Sequence, residues 1–417
     1  MPGRPTASVE AASWRPDGLE LRPVTEEEFA RYCEAIARHF GEDHVPDAVG
    51  AWRALSSLER SFAAFDGERI VASVQTVAER MAVPGGASVP CAAVTAVTVR
   101  PTHRRRGLMT ALLARATEDA RRRGEPLGAL FASEHPIYGR YGYGPAVPMV
   151  RWSVPRDRAS LDPQPQLPDI DLVEPAEAAP ALAAIDAAAR PRLPGALDRG
   201  EQHWEALLAI DPPAWRDGAT ARYVAVAPGS AAAIYRLKDD GDPAGGLLRV
   251  ELLCGVDDEA EAAMFTFLTS VDLVRELRLG LRPPDDPLLA RLAHPDRAVV
   301  RAHAPMYVRL HDLPAAVAAR SYDADDTLVL DVADAFIPDN AGRWRLTVRE
   351  GRGSLERTDE RADLVCDVRE LATAYLGGVR PSVLARASRM HEASPGAARR
   401  LDRVLATDRA PWQPWDF

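Results

Sequence analysis

The chain has 417 residues, of which 47% are hydrophobic and 27% charged, and its net charge is −10. That length exceeds one compact core and predicts two to three domains. The composition is that of a soluble globular protein, and the acidic balance argues against nucleic acid as the main partner while suiting a cationic one. No run of 18 apolar residues occurs, so no membrane-spanning helix is expected. The leading MPGRPTASVEAASWRPDG lacks the apolar core of a signal peptide, which predicts a cytoplasmic protein. Cys33, Cys91, Cys254 and Cys366 are far apart, with no CxxC or Cys/His cluster, so buried free thiols are expected and no metal.

Thr25 and Glu28 are spaced as a capping box, and the segment behind them carries Phe29, Cys33, Ile36 and Phe40 at helical spacing. Strands are predicted over 61–65 and 70–78 around an Asp66-Gly67 turn, and over the β-branched stretch 89–99. A helix follows over 107–123, stopped by Gly124, then a short buried strand over 127–133 and the loop IYGRYGYGP. The proline-rich DPQPQLPD at 162–169 marks a linker. Beyond it, strands are predicted over 223–227, 231–237, 247–254 and 273–281, with a helix over 259–269. A third block from about Pro305 carries strands over 327–332, 343–349 and 364–368 and helices near 368–375 and 395–404. The expected domains are 1–158, 170–304 and 305–417, the last ending in the aromatic tail PWQPWDF.

The sharpest local signal is AVTVRPTHRRRGLMTALLARATEDARRRG, where a strand ending at Val99 meets a basic, glycine-containing turn and then a helix. Such a turn aims backbone N–H groups at one point, and the helix N-terminus adds a positive dipole, which together suit a pyrophosphate. Gly107 lets the backbone approach a phosphate without a Cβ in the way. Arg104, Arg105 and Arg106 supply charge, or they are simply a solvated basic turn.

Val97 to Val99 followed by Arg104-x-x-Gly107 looks like the GNAT acetyltransferase signature of strand, R/Q-x-x-G-x-G/A turn and helix. The sequence departs from it at the last position, where Met109 stands. PTHRRRGLMTALL together with ASEHPIYGRYGYGPA at 132–146 resembles the enhanced intracellular survival acetyltransferase family of actinobacteria, and Ala51-Trp52-Arg53 and the terminal Asp416-Phe417 also fit it. The match is tight over about 40–155 and at the C-terminus; between 170 and 400 it is mainly one of element order.

The resemblance implies an α/β (α+β) architecture of two tandem GNAT folds, the second without a CoA signature, followed by a sterol-carrier-protein-like α/β domain. It implies acetyl-CoA as co-substrate and a homohexamer built as a dimer of trimers. By motif match, Val97 and Val99 would pair with the pantetheine arm, Arg104, Arg105, Gly107 and Leu108 would hold the phosphates, and Ser133 would contact the cofactor near its thiol. Tyr138 falls at the family's general-acid position and the terminal carboxylate of Phe417 at its general-base position. Phe40, Glu42, Trp52 and Asp416 fall where the family lines its acceptor pocket, with Asp43 as an equal choice to Glu42.

The chemistry asks for these groups independently. A primary amine, with a pKa of about 10, must lose a proton before it attacks a thioester, and a carboxylate can take it. An α-carboxylate starts at about 3.5, and packing it among Trp412, Trp415 and Phe417 would raise its basicity by desolvation. The tyrosine would protonate the departing thiolate, and a backbone N–H on the strand through Val97 and Val99 would meet the oxyanion. Each residue also has a plainer reading: Tyr138 as turn filler beside Tyr141 and Tyr143, Trp52 as core, GEDHVPD at 41–47 as a surface loop, Phe417 as a frayed end. The expected activity is acetyl transfer to a primary amine of a small polycation of aminoglycoside type, or to a lysine side chain. The alternatives are a hydrophobic-ligand carrier with a vestigial CoA-binding domain, and a dedicated protein-lysine acetyltransferase.

Overall fold

A computed structural model of the chain describes residues 18–415. Asp416 and Phe417, expected at the acceptor pocket and as the base, lie outside the described residues. In chain order the strands are β1 (Glu20–Pro23), β2 (Ser61–Asp66), β3 (Arg69–Ala82), β4 (Ser88–Val99), β5 (Leu127–Phe131), β6 (Gly144–Pro155), β7 (Asp171–Val173), β8 (Tyr223–Ala227), β9 (Ala231–Lys238), β10 (Gly246–Gly255), β11 (Val274–Arg282), β12 (Val299–Leu310), β13 (Asp326–Ala333), β14 (Gly342–Arg349), β15 (Arg352–Arg357), β16 (Leu364–Asp367) and β17 (Met390–Glu392). The α-helices are α1 (Phe29–Phe40), α2 (Val49–Leu55), α3 (Leu108–Arg122), α4 (His135–Tyr138), α5 (Ala179–Ala189), α6 (Glu201–Ala209), α7 (Asp258–Thr269), α8 (Pro287–Arg291), α9 (Leu313–Ala319), α10 (Val368–Ala374), α11 (Pro381–Arg386) and α12 (Ala397–Leu405).

Two compact units form. The first holds the chain up to Val147 and Pro305–Asp408; the second holds Pro148–Ala304 and the segment from Arg409. The boundaries read from sequence follow motif blocks, whereas the units follow strand pairing. The sheet of the first unit runs β1-β2-β3-β4-β5-β12, because β12 pairs antiparallel with β5 from Met306 opposite Phe131 to Leu310 opposite Leu127. In the second unit the order is β6-β11-β10-β9-β8-β7, with β6 antiparallel to β11.

Helix α3 buries Leu108, Ala111, Leu112, Ala116 and Ala120, a spacing of three and four that makes one apolar stripe against β2, β3 and β4. Each fully buried large side chain there contributes about 1.5–3 kcal/mol. The cluster takes in Phe62, Val71, Tyr138, Tyr141 and Tyr143, and is completed by Tyr307, Phe336 and Ile337 from the third block. On α1, Phe29, Tyr32, Cys33 and Ala37 are buried and join Phe65 and Ile70. Half of the expected capping box forms: Glu28 accepts from the Thr25 N–H at 3.1 Å, and it also holds Arg22, which takes its carboxyl down to about 2.

The third block adds a mixed sheet ordered β15-β14-β13-β16-β17, parallel only between β13 and β16. Its link to the first sheet is a buried ion pair, Arg309 Nη2 to Asp334 Oδ2 at 2.6 Å. Asp334 also accepts from the N–H groups of Phe336 and Ile337 and from Asn340 Nδ2, so every lone pair has work. Gly142 has φ +80°, and a Cβ there would lie 2.6 Å from Arg309 Cζ, which explains a glycine in that loop.

In the second unit α7 packs Met264, Phe265 and Leu268 on Trp152, Leu248, Val250, Leu277 and Leu279. Helices α5 and α6 cover the other face with Trp204, Ile234, Cys254 and Trp412. All four cysteines are buried and free, and burial pushes the Cys33 thiol up to about 11. No described helix is long and apolar enough to cross a membrane, and the described residues hold no group of three or more His, Cys, Asp or Glu set to bind a metal.

Asp334→Ala leaves the Arg309 guanidinium buried without its counter-charge, so a loss of about 3–5 kcal/mol is expected. Thermal unfolding of the variant against wild type checks this; an unchanged midpoint would mean the pair does not hold the third block to the first sheet.

Candidate active site

Parallel pairing of β4 with β5 covers only Cys91 opposite Leu127 to Ala93 opposite Ala129. Both strands run on, β4 to Val99 and β5 to Phe131, and diverge. On its other side β4 stays paired with β3 as far as Val99 opposite Ala72, past a register shift between Ser73 and Gln75. At that shift Ala96 takes φ +52°, rare for a residue with a Cβ. The bulge is pinned: Ser73 Oγ donates to the Ala96 carbonyl at 2.7 Å and lies 2.7 Å from Thr98 Oγ1, which His39 Nδ1 reaches at 2.9 Å. Burial first, then the charges of Arg100 and His103, holds His39 below its usual pKa, so it acts as a neutral pin. Val97 and Val99 are half-buried on the stretch past the last β4–β5 pair, where β5 no longer pairs with the strand's backbone groups.

The basic turn follows β4 directly and leads into α3. Arg105 has φ +64° and Gly107 φ +76°, two left-handed residues within a basic turn, a backbone concavity of the kind that holds anions. Gly107 is the N-cap of α3 and offers no side-chain acceptor; the first helical bond is Ala111 N–H to Gly107 O at 3.0 Å. The preceding amides therefore point outward unspent. Arg104, Arg105 and Arg106 are exposed, and Leu108 is buried beneath them. Met109, the departure from the signature, packs against the core and away from the turn. His103 tethers the turn, with Nε2 3.5 Å from Asp66 on the β2–β3 hairpin and Nδ1 2.9 Å from Thr102 Oγ1.

At the end of β5, Ser133 is exposed and the short α4 carries Tyr138. Three tyrosines crowd this loop, and their hydroxyls differ. Tyr141 is spent on Thr110 Oγ1 at 2.9 Å, and Tyr143 is fully enclosed. Tyr138 packs edge-on to Tyr143 at 6.2 Å, and its hydroxyl has no hydrogen-bond partner among the described residues. Burial pushes its pKa up to about 12, so the phenol is a proton donor at any ordinary pH. His135, three residues before Tyr138, lies with its Nδ1 2.7 Å from Tyr307 Oη.

Phe40 ends α1 with 46% of its surface exposed, Glu42 and Asp43 are exposed in the loop after it, and Trp52 packs on the α1 cluster from α2. The tail ahead of the two undescribed residues is well seated in the second unit. Trp412 is buried with its Nε1 donating to Leu281 O at 2.9 Å, and Trp415 stands edge-on to Trp204 at 6.2 Å. Neither the Ser73–Thr98–His39 pin nor the bulge at Ala96 was read from sequence, since a register shift leaves no mark in a run of Val, Ala and Thr.

The second unit repeats the parallel pair, β10 with β11, from Leu247 opposite Glu276 to Val250 opposite Leu279. There the divergence is filled from within. Arg282 crosses it, donating to Leu253 O at 3.1 Å and pairing with Asp286 and Glu261. The following helix, α7, is capped by Asp257, whose side chain accepts from Ala260 N–H at 2.8 Å, and opens on Asp258 and Glu259. Carboxylates at that helix N-terminus exclude a phosphate.

Residues 20–146 and 195–310 match models described as acetyltransferase (GNAT) domains, and 313–414 one described as a sterol carrier protein domain. The expected architecture of two GNAT folds and a sterol-carrier-like domain therefore stands. An uncharacterised N-acetyltransferase of Streptomyces coelicolor is 38% identical over 412 residues, covering 96% of this chain and 100% of its own. The N-acetyltransferase Eis of Mycobacterium tuberculosis is 32% identical, covering 94% of this chain and 97% of its own. The crystal structure of Eis1 from Mycobacterium abscessus matches with a TM-score of 0.85 at 32% identity, covering 95% of this chain and 100% of that one. With full-length likeness to Eis proteins in both sequence and structure, the chain belongs to the Eis family of GNAT N-acetyltransferases.

Proposed function

We propose that the chain transfers acetyl from acetyl-CoA to a primary amine in the slot between β4 and β5, acting as a homohexamer in the cytoplasm. The observation that carries this is the pairing of an unsatisfied strand edge with an unspent helix N-terminus and an unspent phenol. The edge at Val97 and Val99 fits the two amides of a pantetheine arm. Outward amides at Arg105, Gly107 and Leu108, with Arg104 and Arg105 as charge, fit a diphosphate, and Ser133 fits the thiol end.

In this reading the carboxylate of Phe417 takes the proton from the amine, a C–N bond forms as the C–S bond breaks, and Tyr138 gives its proton to the departing thiolate. A backbone N–H of β4 receives the oxyanion. Phe40, Glu42, Trp52 and Asp416 line the acceptor side. The acceptor is a small polycation of aminoglycoside type or a lysine side chain.

Four measurements test this. Tyr138→Phe should lower kcat by about 10²–10⁴-fold. The acetyl-CoA KM should change little. Because the phenol titrates at about 12, wild-type kcat should show no alkaline fall from its deprotonation below pH ~11. A wild-type fall near pH 9 that vanishes in the variant would assign Tyr138 a different state. Extending the chain past Phe417 by a few residues replaces the terminal carboxylate with an amide, and kcat should collapse by at least about 10²-fold; full activity removes that carboxylate from the chemistry. Gly107→Val puts a β-branched residue at φ +76° over the phosphate site, so the acetyl-CoA KM should rise about tenfold or more. An unchanged KM would displace the phosphates from this turn. Saturable CoA binding without turnover on any amine would favour the carrier alternative.

A further inference from the structure

The loop IYGRYGYGP carries three glycines, and backbone conformation asks for only one of them. Gly142 has φ +80°, whereas Gly139 stands at φ −58° and ψ −31°, helical values that any L-residue adopts. Gly144, at the end of the loop, is outside the positive-φ region as well. What Gly139 and Gly144 share is a close neighbour from the third block. A Cβ on Gly139 would lie 3.1 Å from both Cδ and Nη1 of Arg369, and one on Gly144 would lie 2.6 Å from the backbone nitrogen of Thr373. Arg369 and Thr373 both belong to α10, inside the stretch that matches a sterol carrier protein domain.

Arg369 is itself held. Its backbone N–H donates to Asp367 Oδ1 at 2.9 Å and its Nε to Glu370 Oε1 at 2.8 Å. Glu370 is buried, and its Oε2 takes Arg389 Nη2 at 2.6 Å. The start of the loop is held separately, by Tyr307 beside His135, with the two rings 5.9 Å apart. Burial raises the pKa of the Tyr307 hydroxyl and the charge of Arg389 opposes it, so one arginine acts on both holds. Every residue named belongs to the first unit.

Tyr138 lies between the two holds, three residues after His135 and one before Gly139. Its hydroxyl has no hydrogen-bond partner among the described residues to fix it, as Thr110 fixes that of Tyr141. The place of the Tyr138 hydroxyl is therefore set by ring packing and by the backbone on either side.

We infer that the third block clamps the loop of the proton donor, with Arg369 as a positioning residue that packs on Gly139 and so fixes where the Tyr138 hydroxyl stands. The inference rests on the reading of Tyr138 as proton donor and gives α10 a part in acetyl transfer without contact to any ligand. A reacting group displaced by about 1 Å can cost about 10²-fold in rate, so a loose loop is enough to slow the reaction. The same clamp explains the glycine at 139: a side chain there would press on Arg369 and move the loop.

The test measures acetyl-CoA consumption by the full-length protein with kanamycin and with a lysine peptide. Arg369→Ala should lower kcat about tenfold or more and leave the acetyl-CoA KM unchanged. In a Tyr138→Phe background the same change should cost nothing further, because the group it positions is gone; a general loss of folding would lower kcat in both backgrounds. Gly139→Ala, whose backbone is unstrained, should also lower kcat, and its loss should not multiply with that of Arg369→Ala, since the added methyl then has room. An unchanged kcat in both single variants, or a full further loss in the Tyr138→Phe background, overturns the clamp while leaving the role of Tyr138 standing. If Tyr138→Phe keeps full activity, or no amine turns over, the reading of Tyr138 falls, and fluorine NMR of 3-fluorotyrosine-labelled protein still reads the clamp. The resonance missing from Tyr138→Phe should shift or broaden in Arg369→Ala, while those of the stacked Tyr223 and Tyr235 in the second unit stay in place. An unmoved Tyr138 resonance overturns the inference.

Discussion

Past Ala93 the fourth strand presents backbone N–H and C=O groups that its parallel neighbour no longer reaches. A polar backbone edge left without partners is costly once buried, so such an edge must be solvated or filled. The bulge at Ala96 makes the divergence permanent, and Ser73, Thr98 and His39 fix the bulge in place. The helix behind the strand supplies the second half of the arrangement, because its N-terminus begins on a glycine with no side chain to satisfy the first amides. One gap in the pairing thus leaves an unpaired strand edge on the same side of the sheet core to which Val97, Val99 and Tyr138 contribute.

The second unit shows how the same topology behaves when the gap is closed by the chain itself. Arg282 spans β10 and β11, and two acids share it. Burial holds Glu261 above the usual carboxylate range even beside that guanidinium, since Asp286 already competes for it. A buried triad of this kind is weak as a source of stability. Its effect here is to occupy space and donors that an extended ligand would need. Two GNAT folds in one chain therefore separate by what fills the cleft, and the filling is decided by a handful of residues rather than by topology.

Part of this was legible in the sequence. The strand–turn–helix around Arg104 and Gly107, several strands in each of the three blocks and the tyrosine loop could be placed because each has a local signature: β-branched runs, a basic glycine turn, glycine-spaced aromatics. The long strands β6 and β12 were not read. What could not be placed depends on register. Nothing in the run Ala96-Val97-Thr98-Val99 states where pairing with β5 ends. Helices α5 and α6 escaped because alanine on both faces of α5 blurs its stripe and α6 is short. Pro305 lies inside β12, where a proline reads as a break, but it falls just outside the run paired with β5, which starts at Met306. Tyr138 was singled out from Tyr141 and Tyr143 only by likeness to a family; in the structure a hydrogen bond to Thr110 sets Tyr141 apart from it, and burial sets Tyr143 apart.

The pairing of β5 with β12 has a consequence for biosynthesis. Phe131 and Met306 face one another across the sheet yet are 175 positions apart, 306 minus 131. A ribosome adding about 5–20 residues per second leaves the free edge of β5 waiting roughly 10–35 s for its neighbour. During that interval the nascent first domain offers an open strand edge, the feature most prone to pair with the wrong chain. The second domain must emerge in full before the first can close, so the order of translation and the order of completion run opposite to one another.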